Sequence, residues 1–199
     1  MPSASRREVF YFHIFTIQKI TMYMRTCLLV FLLGFFLNSH AQKEAYNWYF
    51  GRNAALNFSS GEPVSLTGSA MHASNGSSSI SDSDGNLLFY SNGAWRWNRN
   101  HAVMQNGAGL VGSYLAPQAA VALKVPGSDS RYYLFTMGGA IVFKSGLCYS
   151  VIDMSLDGGL GSVLSWEKNI QLPESELVSD VLSVVECGDG NGHWVFVRS

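Results

Sequence analysis

Two tryptophans, Trp95 and Trp97, are the residues whose type and spacing best suit ligand binding. They alternate with Arg96 and Asn98, and residues two positions apart in a β-strand point to the same face of the sheet. Indole faces can stack on the apolar ring surfaces of sugars, but aromatic side chains on one face of a strand also pack into cores. Such a pair more often packs between adjacent sheets, but the spacing also fits a stacking platform for a glycan, and Trp95 and Trp97 are our candidate ligand-binding residues.

Acidic residues in two glycine-rich segments could supply oxygen ligands to a cation. The first segment, residues 82–86 (Asp-Ser-Asp-Gly-Asn), resembles part of a calcium loop, but no glutamate follows nearby to complete the ligand set. In the second segment, Asp153 and Asp157 precede a pair of glycines. Because Asp and Asn side chains also cap turns, we interpret both segments as capped turns. We therefore predict no metal ion and no cofactor.

The histidine and serine patterns give no basis for assigning catalytic residues. The three histidines after residue 41 are His72, His101 and His193, and they show no metal-ligand spacing. No Gly-x-Ser-x-Gly nucleophile elbow occurs in the sequence. We assign no catalytic residue and favour a protein that binds its target without catalysing a reaction.

Cys148 and Cys187 are the two cysteines that follow a predicted leader segment. An even number of cysteines in an exported protein permits a disulfide, and two separately buried thiols on strands are the alternative. Both possibilities stay open at this point, because the sequence alone does not show whether two Cβ atoms lie within bonding reach.

The strands that position the candidate residues are preceded by a predicted secretory signal peptide. Residues 27–37 form an unbroken apolar run of 11 residues, preceded by Arg25 and followed by small residues, Ser39 and Ala41, at the −3 and −1 positions of a cut after Ala41. This is the order of a signal peptide and its cleavage site, and the run is shorter than the about 20 residues of a membrane helix. An uncleaved signal anchor is the alternative. The predicted organisation is a misassigned extension at 1–23, a signal peptide at 24–41 cleaved after Ala41, and an exported chain at 42–199 without a membrane span.

The composition of the exported chain excludes nucleic acid as a partner. Residues 42–199 contain 9 Lys or Arg and 13 Asp or Glu, a formal charge of −4, so the chain lacks the basic field that nucleic acid requires. Aromatic residues are 13% of the full sequence, which argues against disorder. The 20 glycines of the full sequence favour many turns and few long helices.

Three segments of the exported chain share one plan: a strand of small or aliphatic residues, a Gly/Asp turn, and an aromatic strand. Gly adopts positive φ in such turns, and Asp or Asn caps them. Two more strands are predicted after the second hairpin, at 147–153 and 163–172, which gives four strands per unit. Four-stranded units with a period of about 45–60 residues are typical of propeller blades, and a β-sandwich is the alternative. The predicted hairpins are at 77–90, 118–135 and 179–197.

The number of strands predicts an incomplete fold. The chain supplies about two and a half blades, whereas a closed propeller needs about four to eight. We therefore predict an all-β protein, an incomplete β-propeller of four-stranded antiparallel blades preceded by a signal peptide. Because the sequence stops at 197–199 inside a predicted strand, we expect it to be the N-terminal fragment of a longer protein. An uncovered sheet face should make this fragment prone to aggregate.

Several stretches of the exported chain resemble a known family. Residues 47–58 (NWYFGRNAALNF) and 80–93 (ISDSDGNLLFYSNG) are similar to the first part of large secreted β-propeller proteins of gliding bacteria of the Bacteroidota type. Residues 97–101 (WNRNH) and 103–107 (VMQNG) continue the similarity, and residues 149–161 (YSVIDMSLDGGLG) are its most specific piece. The resemblance covers nearly all of the exported chain.

The resemblance implies export by a signal peptide and then by a dedicated secretion machinery of the outer membrane. Full-length members of the family carry adhesion modules and a C-terminal sorting domain, and the resemblance supplies no catalytic residues. The first hypothesis is therefore a non-catalytic binding or scaffolding module, secreted or at the cell surface, that contacts a glycan or another surface protein. The second is a propeller-type hydrolase, either a glycosidase with paired carboxylates or a lactonase with a calcium cage, completed by further blades.

Overall fold

The computed structural model describes residues 43–138, 146–175, 181–189 and 191–198. These residues form thirteen β-strands, three short 3-10 turns and no α-helix, which confirms the all-β prediction. None of the described residues belongs to a helix with the length and apolar character needed to cross a membrane. The predicted extension and signal peptide lie outside the described residues.

The strands are short and follow one another with tight connections. In chain order they are β1 (Asn47–Phe50), β2 (Ala54–Asn57), β3 (Val64–Ser65), β4 (Ser78–Ser81), β5 (Leu87–Ser91), β6 (Arg96–Asn98), β7 (Ala120–Lys124), β8 (Arg131–Met137), β9 (Leu147–Asp153), β10 (Ser162–Val163), β11 (Ile170–Gln171), β12 (Leu182–Glu186) and β13 (His193–Val197). The 3-10 turns are Lys43–Ala45, Asp157–Gly159 and Ser165–Glu167. The three predicted hairpins correspond to β4–β5, β7–β8 and β12–β13.

The strands form four antiparallel sheets, each built from strands that are consecutive in the chain. Sheet 1 has the order β1-β2-β3, sheet 2 the order β4-β5-β6, and sheet 4 is the hairpin β12-β13. Sheet 3 has the order β7-β8-β9, and both β10 and β11 pair with the far edge of β9. The chain therefore meanders from strand to neighbouring strand within each sheet.

One predicted strand is interrupted. The continuous strand expected at 163–172 is wrong, because β10 and β11 are separated by the 3-10 turn Ser165–Glu167. Asn169 then adopts a φ of 58°, a conformation that an extended strand does not contain. Its side chain bonds to the loop that precedes β7: the amide oxygen accepts from Val111 N at 3.0 Å, and the amide nitrogen donates to Gly109 O at 3.0 Å.

The turn between β4 and β5 shows why its sequence forms a hairpin. Asp82 Oδ1 accepts hydrogen bonds from Asp84 N at 2.9 Å and Asn86 N at 2.8 Å. Burial raises the pKa of Asp82, but these bonds and one from Gly85 outweigh it and lower the pKa below its usual value. Gly85 has a φ of 90°, and a Cβ there would lie 2.6 Å from the ring of Tyr46. The acidic segment 82–86 is therefore a capped turn.

The sheets pack face to face in chain order, with a core between each neighbouring pair. Tyr49 of sheet 1 stacks on Tyr90 of sheet 2, with 4.4 Å between ring centroids. On its other face, sheet 2 places Phe89 edge-on against Tyr132 of sheet 3 at 5.8 Å. The far face of sheet 3 packs against Leu182 of sheet 4. Sheets 2 and 3 thus bury both of their faces.

The first strands of sheets 1, 2 and 3 lie side by side, so that β4 contacts both β1 and β7. Serine hydroxyls of β4 join them: Ser79 Oγ donates to Asn47 O at 2.7 Å and accepts from Tyr49 N at 3.3 Å. On the other side, Ser78 Oγ accepts from Ala122 N at 3.0 Å. Buried or edge backbone groups need hydrogen-bond partners, and this serine-rich strand supplies them to its two neighbours.

Both ends of the stack expose aromatic side chains. Tyr49 points into the core, so Trp48 and Phe50 on either side of it face outward from sheet 1 and are exposed. In sheet 4, Trp194 and Phe196 have 63% and 54% of their surface exposed. Contiguous apolar surface of this kind promotes association in water.

We expect the double substitution Trp194→Ser and Phe196→Ser to reduce self-association of the purified protein. The two side chains contact solvent rather than the core, so the free energy of unfolding should change by no more than about 0.5 kcal/mol per site. Sedimentation velocity measures the association. Trp166→Ser is the control, since Trp166 is 70% exposed outside both end sheets and its loss should leave association unchanged. If the double variant associates as strongly as the wild type, the exposed aromatic face of sheet 4 is not the surface through which the protein associates.

Candidate functional site

The turn between β5 and β6 presents Trp95 to solvent. Asn92 Oδ1 accepts hydrogen bonds from Ala94 N at 3.1 Å and Trp95 N at 2.8 Å, and Asn92 Nδ2 donates to His72 O at 2.8 Å. Gly93 has a φ of 90°, and a Cβ there would lie 2.7 Å from Ala119 O. Asn and Gly are therefore needed at these positions, because the turn combines a side-chain cap with positive φ and a close backbone approach.

Trp97 lies two residues further along, in the middle of β6, and is largely covered. Its ring stacks on Tyr90 with 5.3 Å between centroids and 18° between planes, and Tyr90 in turn stacks on Tyr49. The Tyr90 hydroxyl accepts from Ala70 N at 3.0 Å and lies 3.2 Å from His101 Nδ1. Burial raises the pKa of Tyr90, so the hydroxyl stays protonated at neutral pH.

The two predicted tryptophans line one cavity of about 360 Å³. Trp95 is 46% exposed and Trp97 is 8% exposed, so Trp95 offers an open indole while Trp97 forms part of the floor. Trp97 thus packs between sheets, whereas Trp95 is open to a ligand. Ligand binding by Trp95 and Trp97 stays a prediction. The cavity walls are aromatic, basic or small: Arg52, Ala70, His72, Ala73, Ser74, Asn92, Trp95, Trp97 and Tyr114.

Three polar or aromatic wall residues come from segments that sequence analysis did not connect with the tryptophans. Arg52 lies in the turn between β1 and β2 and forms an isolated antiparallel bridge with His72. Tyr114 lies in the loop before β7 and is exposed. Residues 52, 72 and 114 have no spacing relation to residue 95 in the sequence. They meet at the cavity because the turn after β1, the segment at His72 and the loop before β7 form its walls.

A second, larger cavity of about 810 Å³ follows the first strands of sheets 1 to 3. Trp48 and Phe50 line one side of it, and Ser78, Ser79 and Ala122 line the other. The serine hydroxyls are already bonded to neighbouring strands. This cavity therefore offers apolar surface but few polar groups to orient a ligand.

Arg96, between the two tryptophans, points to the opposite face of sheet 2 and is fully buried. Its Nε, Nη1 and Nη2 atoms have no hydrogen-bond partner among the described residues. Burial lowers its pKa to about 9, so the guanidinium is still a cation at neutral pH. An uncompensated buried charge destabilises a fold by several kcal/mol in general. Among the described residues, Arg96 is the one whose buried side-chain polar atoms lack a hydrogen-bond partner.

The acidic and histidine residues that could bind a cation are dispersed. Asp153 Oδ1 accepts from Ser155 N at 2.9 Å, and Asp153 Oδ2 accepts from Arg131 Nε at 3.2 Å. Burial raises the pKa of Asp153, but bonds from Ser155, Ser130 and Arg131 lower it to about 2. Asp153 therefore caps a turn. Among the described residues, no three His, Cys, Asp or Glu side chains gather closely enough to hold a metal ion.

Cys148 and Cys187 lie in different parts of the stack. Cys148 is buried in β9 of sheet 3, and Cys187 follows β12 of sheet 4 and is partly buried. Cys148 alone therefore matches the description of a buried cysteine on a strand, and the disulfide that the sequence permits stays a prediction. Burial raises the pKa of Cys148.

We expect Arg96→Met to stabilise the protein by about 1–3 kcal/mol, because an apolar side chain of similar length replaces a buried cation without a partner. Urea denaturation measures the change. Arg198→Met is the matched control, since Arg198 is exposed and its replacement should alter stability by less than about 0.5 kcal/mol. A clear loss of stability in Arg96→Met would mean that the guanidinium is compensated in solution.

We expect iodoacetamide to modify Cys187 in the native protein at least about tenfold faster than Cys148, because thiolate formation and access both favour the less buried thiol. Peptide mapping by mass spectrometry measures modification at each site, and denatured protein, in which both sites should react, is the control. If neither thiol reacts until a reductant is added, the two cysteines form the disulfide that the sequence permits.

No protein-family model, characterised protein or solved structure shows a significant match to this chain. The resemblance to exported propeller proteins therefore stays a prediction.

Proposed function

We propose that the protein is a non-catalytic binding module whose ligand, a surface glycan or a glycan-bearing surface protein, occupies the cavity at Trp95. The observation that carries the proposal is the half-exposed indole of Trp95 in the wall of a 360 Å³ cavity. Ligand pockets combine apolar and aromatic walls with a few polar groups, and this volume lies within their range of about 300–1,000 Å³.

The rigidity of the cavity supports a binding function. The turn that carries Trp95 is held by hydrogen bonds from Ala94 N and Trp95 N to Asn92 Oδ1. The floor residue Trp97 is held in a stack of three aromatic rings. A pre-formed site loses little conformational entropy when a ligand binds. Exposed Tyr114 adds a second aromatic surface at the rim.

We further propose that the four sheets belong to an incomplete β-propeller. Three observations support this: the sheets are antiparallel meanders, they pack face to face in chain order, and their first strands lie side by side. In a sandwich two sheets share a single core, whereas sheets 2 and 3 here bury both faces. The exposed aromatic faces of sheets 1 and 4 suit contact with further blades.

Export places such a module outside the cell. The apolar run at 27–37 and the small residues that end at Ala41 support cleavage there. We propose that the exported chain is secreted or surface-associated through the outer-membrane secretion machinery that the family resemblance implies. N-terminal sequencing of secreted protein that begins at Gln42 would support this route, and recovery of uncleaved membrane-bound protein would oppose it.

We expect Trp95→Ala to weaken binding to the best ligand found on a glycan array by at least about tenfold, equivalent to about 1.4 kcal/mol, because the open stacking surface is lost. Isothermal titration calorimetry with that glycan measures the affinity. Trp166→Ala is the matched control, since Trp166 is more exposed than Trp95 but lies outside the cavity.

Equal thermal stability of the two variants would show that the loss of affinity comes from the site. The proposal is contradicted if the wild-type protein binds no glycan on the array, or if Trp95→Ala binds as tightly as the control.

A further inference from the structure

We infer that the cavity at Trp95 selects an acidic glycan, with Arg52 pairing the carboxylate of a uronic acid while Trp95 contacts the sugar ring. The inference rests on the proposed function, since it names the class of ligand for the same site. It follows from the charge of the cavity walls, from the fixed pairing of Arg52 with His72, and from the aromatic side chains beside them.

The charge of the cavity walls is entirely positive or neutral. Among the residues that the structure describes, the ionisable groups lining it are Arg52, His72 and the Tyr114 hydroxyl, and no described Asp or Glu lines it. Residues 42–199 carry 13 acidic side chains, and the described ones lie elsewhere in the chain than in this cavity wall. Within the described ranges the only salt bridge joins Arg131 to Asp153, which leaves the Arg52 guanidinium available to an external anion.

Arg52 and His72 are held next to each other by the backbone. They face each other across an antiparallel bridge, and the Cβ atoms of such a pair lie about 4.5–5.5 Å apart on one side of the sheet. Neighbouring hydrogen bonds fix both segments: Ala73 N donates to Gly51 O at 2.9 Å, and Asn92 Nδ2 donates to His72 O. Two nitrogen-bearing side chains therefore project from one fixed position of the wall.

The chemistry of this pair fits a carboxylate. A guanidinium presents planar, parallel N–H donors that match the two oxygens of a carboxylate, and the imidazole of His72 adds a further N–H donor. A sulfate or phosphate ester would meet the same donors, but a uronic acid carries its charge directly on the ring that the aromatic wall contacts. The combination of Arg52 with Trp95 and Tyr114 therefore favours a uronic acid.

The overall charge of the protein makes a local cation necessary. The exported chain has a formal charge of −4, so an acidic glycan is repelled at distances within the Debye length, about 10 Å at 0.1 M salt. Attraction must come from short-range contacts at the site. The exposed position of Arg52 also predicts that the interaction weakens as salt concentration rises.

The experiment compares an oligogalacturonide with its methyl ester, which keeps the sugar rings and removes the charges. Isothermal titration calorimetry at pH 7 should show that the wild-type protein binds the acid at least about tenfold more tightly than the ester. Arg52→Gln should abolish this preference by weakening binding of the acid alone. Arg198→Gln, at an exposed arginine outside the cavity, should retain the preference.

The outcomes separate the inference from the proposed function. If acid and ester bind equally well and Trp95→Ala weakens both, the protein binds glycans but the acidic preference is wrong. If Arg52→Gln keeps the preference for the acid, Arg52 is not the partner of the carboxylate and the inference fails. If the wild-type protein binds neither form but binds a neutral glycan through Trp95, the inference also fails. If it binds no glycan at all, the proposed function fails with it.

Discussion

The two middle sheets of this protein bury both of their faces, and each therefore needs a neighbouring sheet on either side. This requirement explains why alternating residues of β5 are large on both sides of the strand: Tyr90 packs toward sheet 1 and Phe89 toward sheet 3. It also explains the serines of β4. Where three first strands come side by side without pairing as a ladder, Ser78 and Ser79 satisfy backbone groups of both neighbours.

The cavity at Trp95 is a consequence of the same packing. Strand β6 directs Trp97 into the core between sheets 1 and 2 and Arg96 into the opposite interface. Trp95, one residue before β6, lies at the end of this core, where the turn after β1 and the loop before β7 form the walls. A site placed at the margin of a rigid core combines a fixed geometry with an open aromatic surface, which is the arrangement that ligand binding favours.

Much of the fold could be predicted from local sequence. The hairpins β4–β5 and β7–β8 were predicted within about three residues, because period-two alternation and the Asp-Gly or Pro-Gly turn between strands are short-range signals. The strand expected at 163–172 was predicted incorrectly. There Asn169 bonds to the loop at Gly109 and Val111, some 60 residues earlier in the chain, and a local pattern contains no information about such a partner.

The sequence by itself determined the all-β class and the positions of the hairpins, since both follow from the geometry of neighbouring residues in strands and turns. The tertiary structure alone decided that Trp97 is covered while Trp95 is open, and that Arg52, His72 and Tyr114 join them in one cavity. It also decided that Cys148 is buried in sheet 3 while Cys187 is only partly buried. These features depend on which sheet faces meet, and face-to-face packing joins residues whose separation along the chain carries no periodic signal.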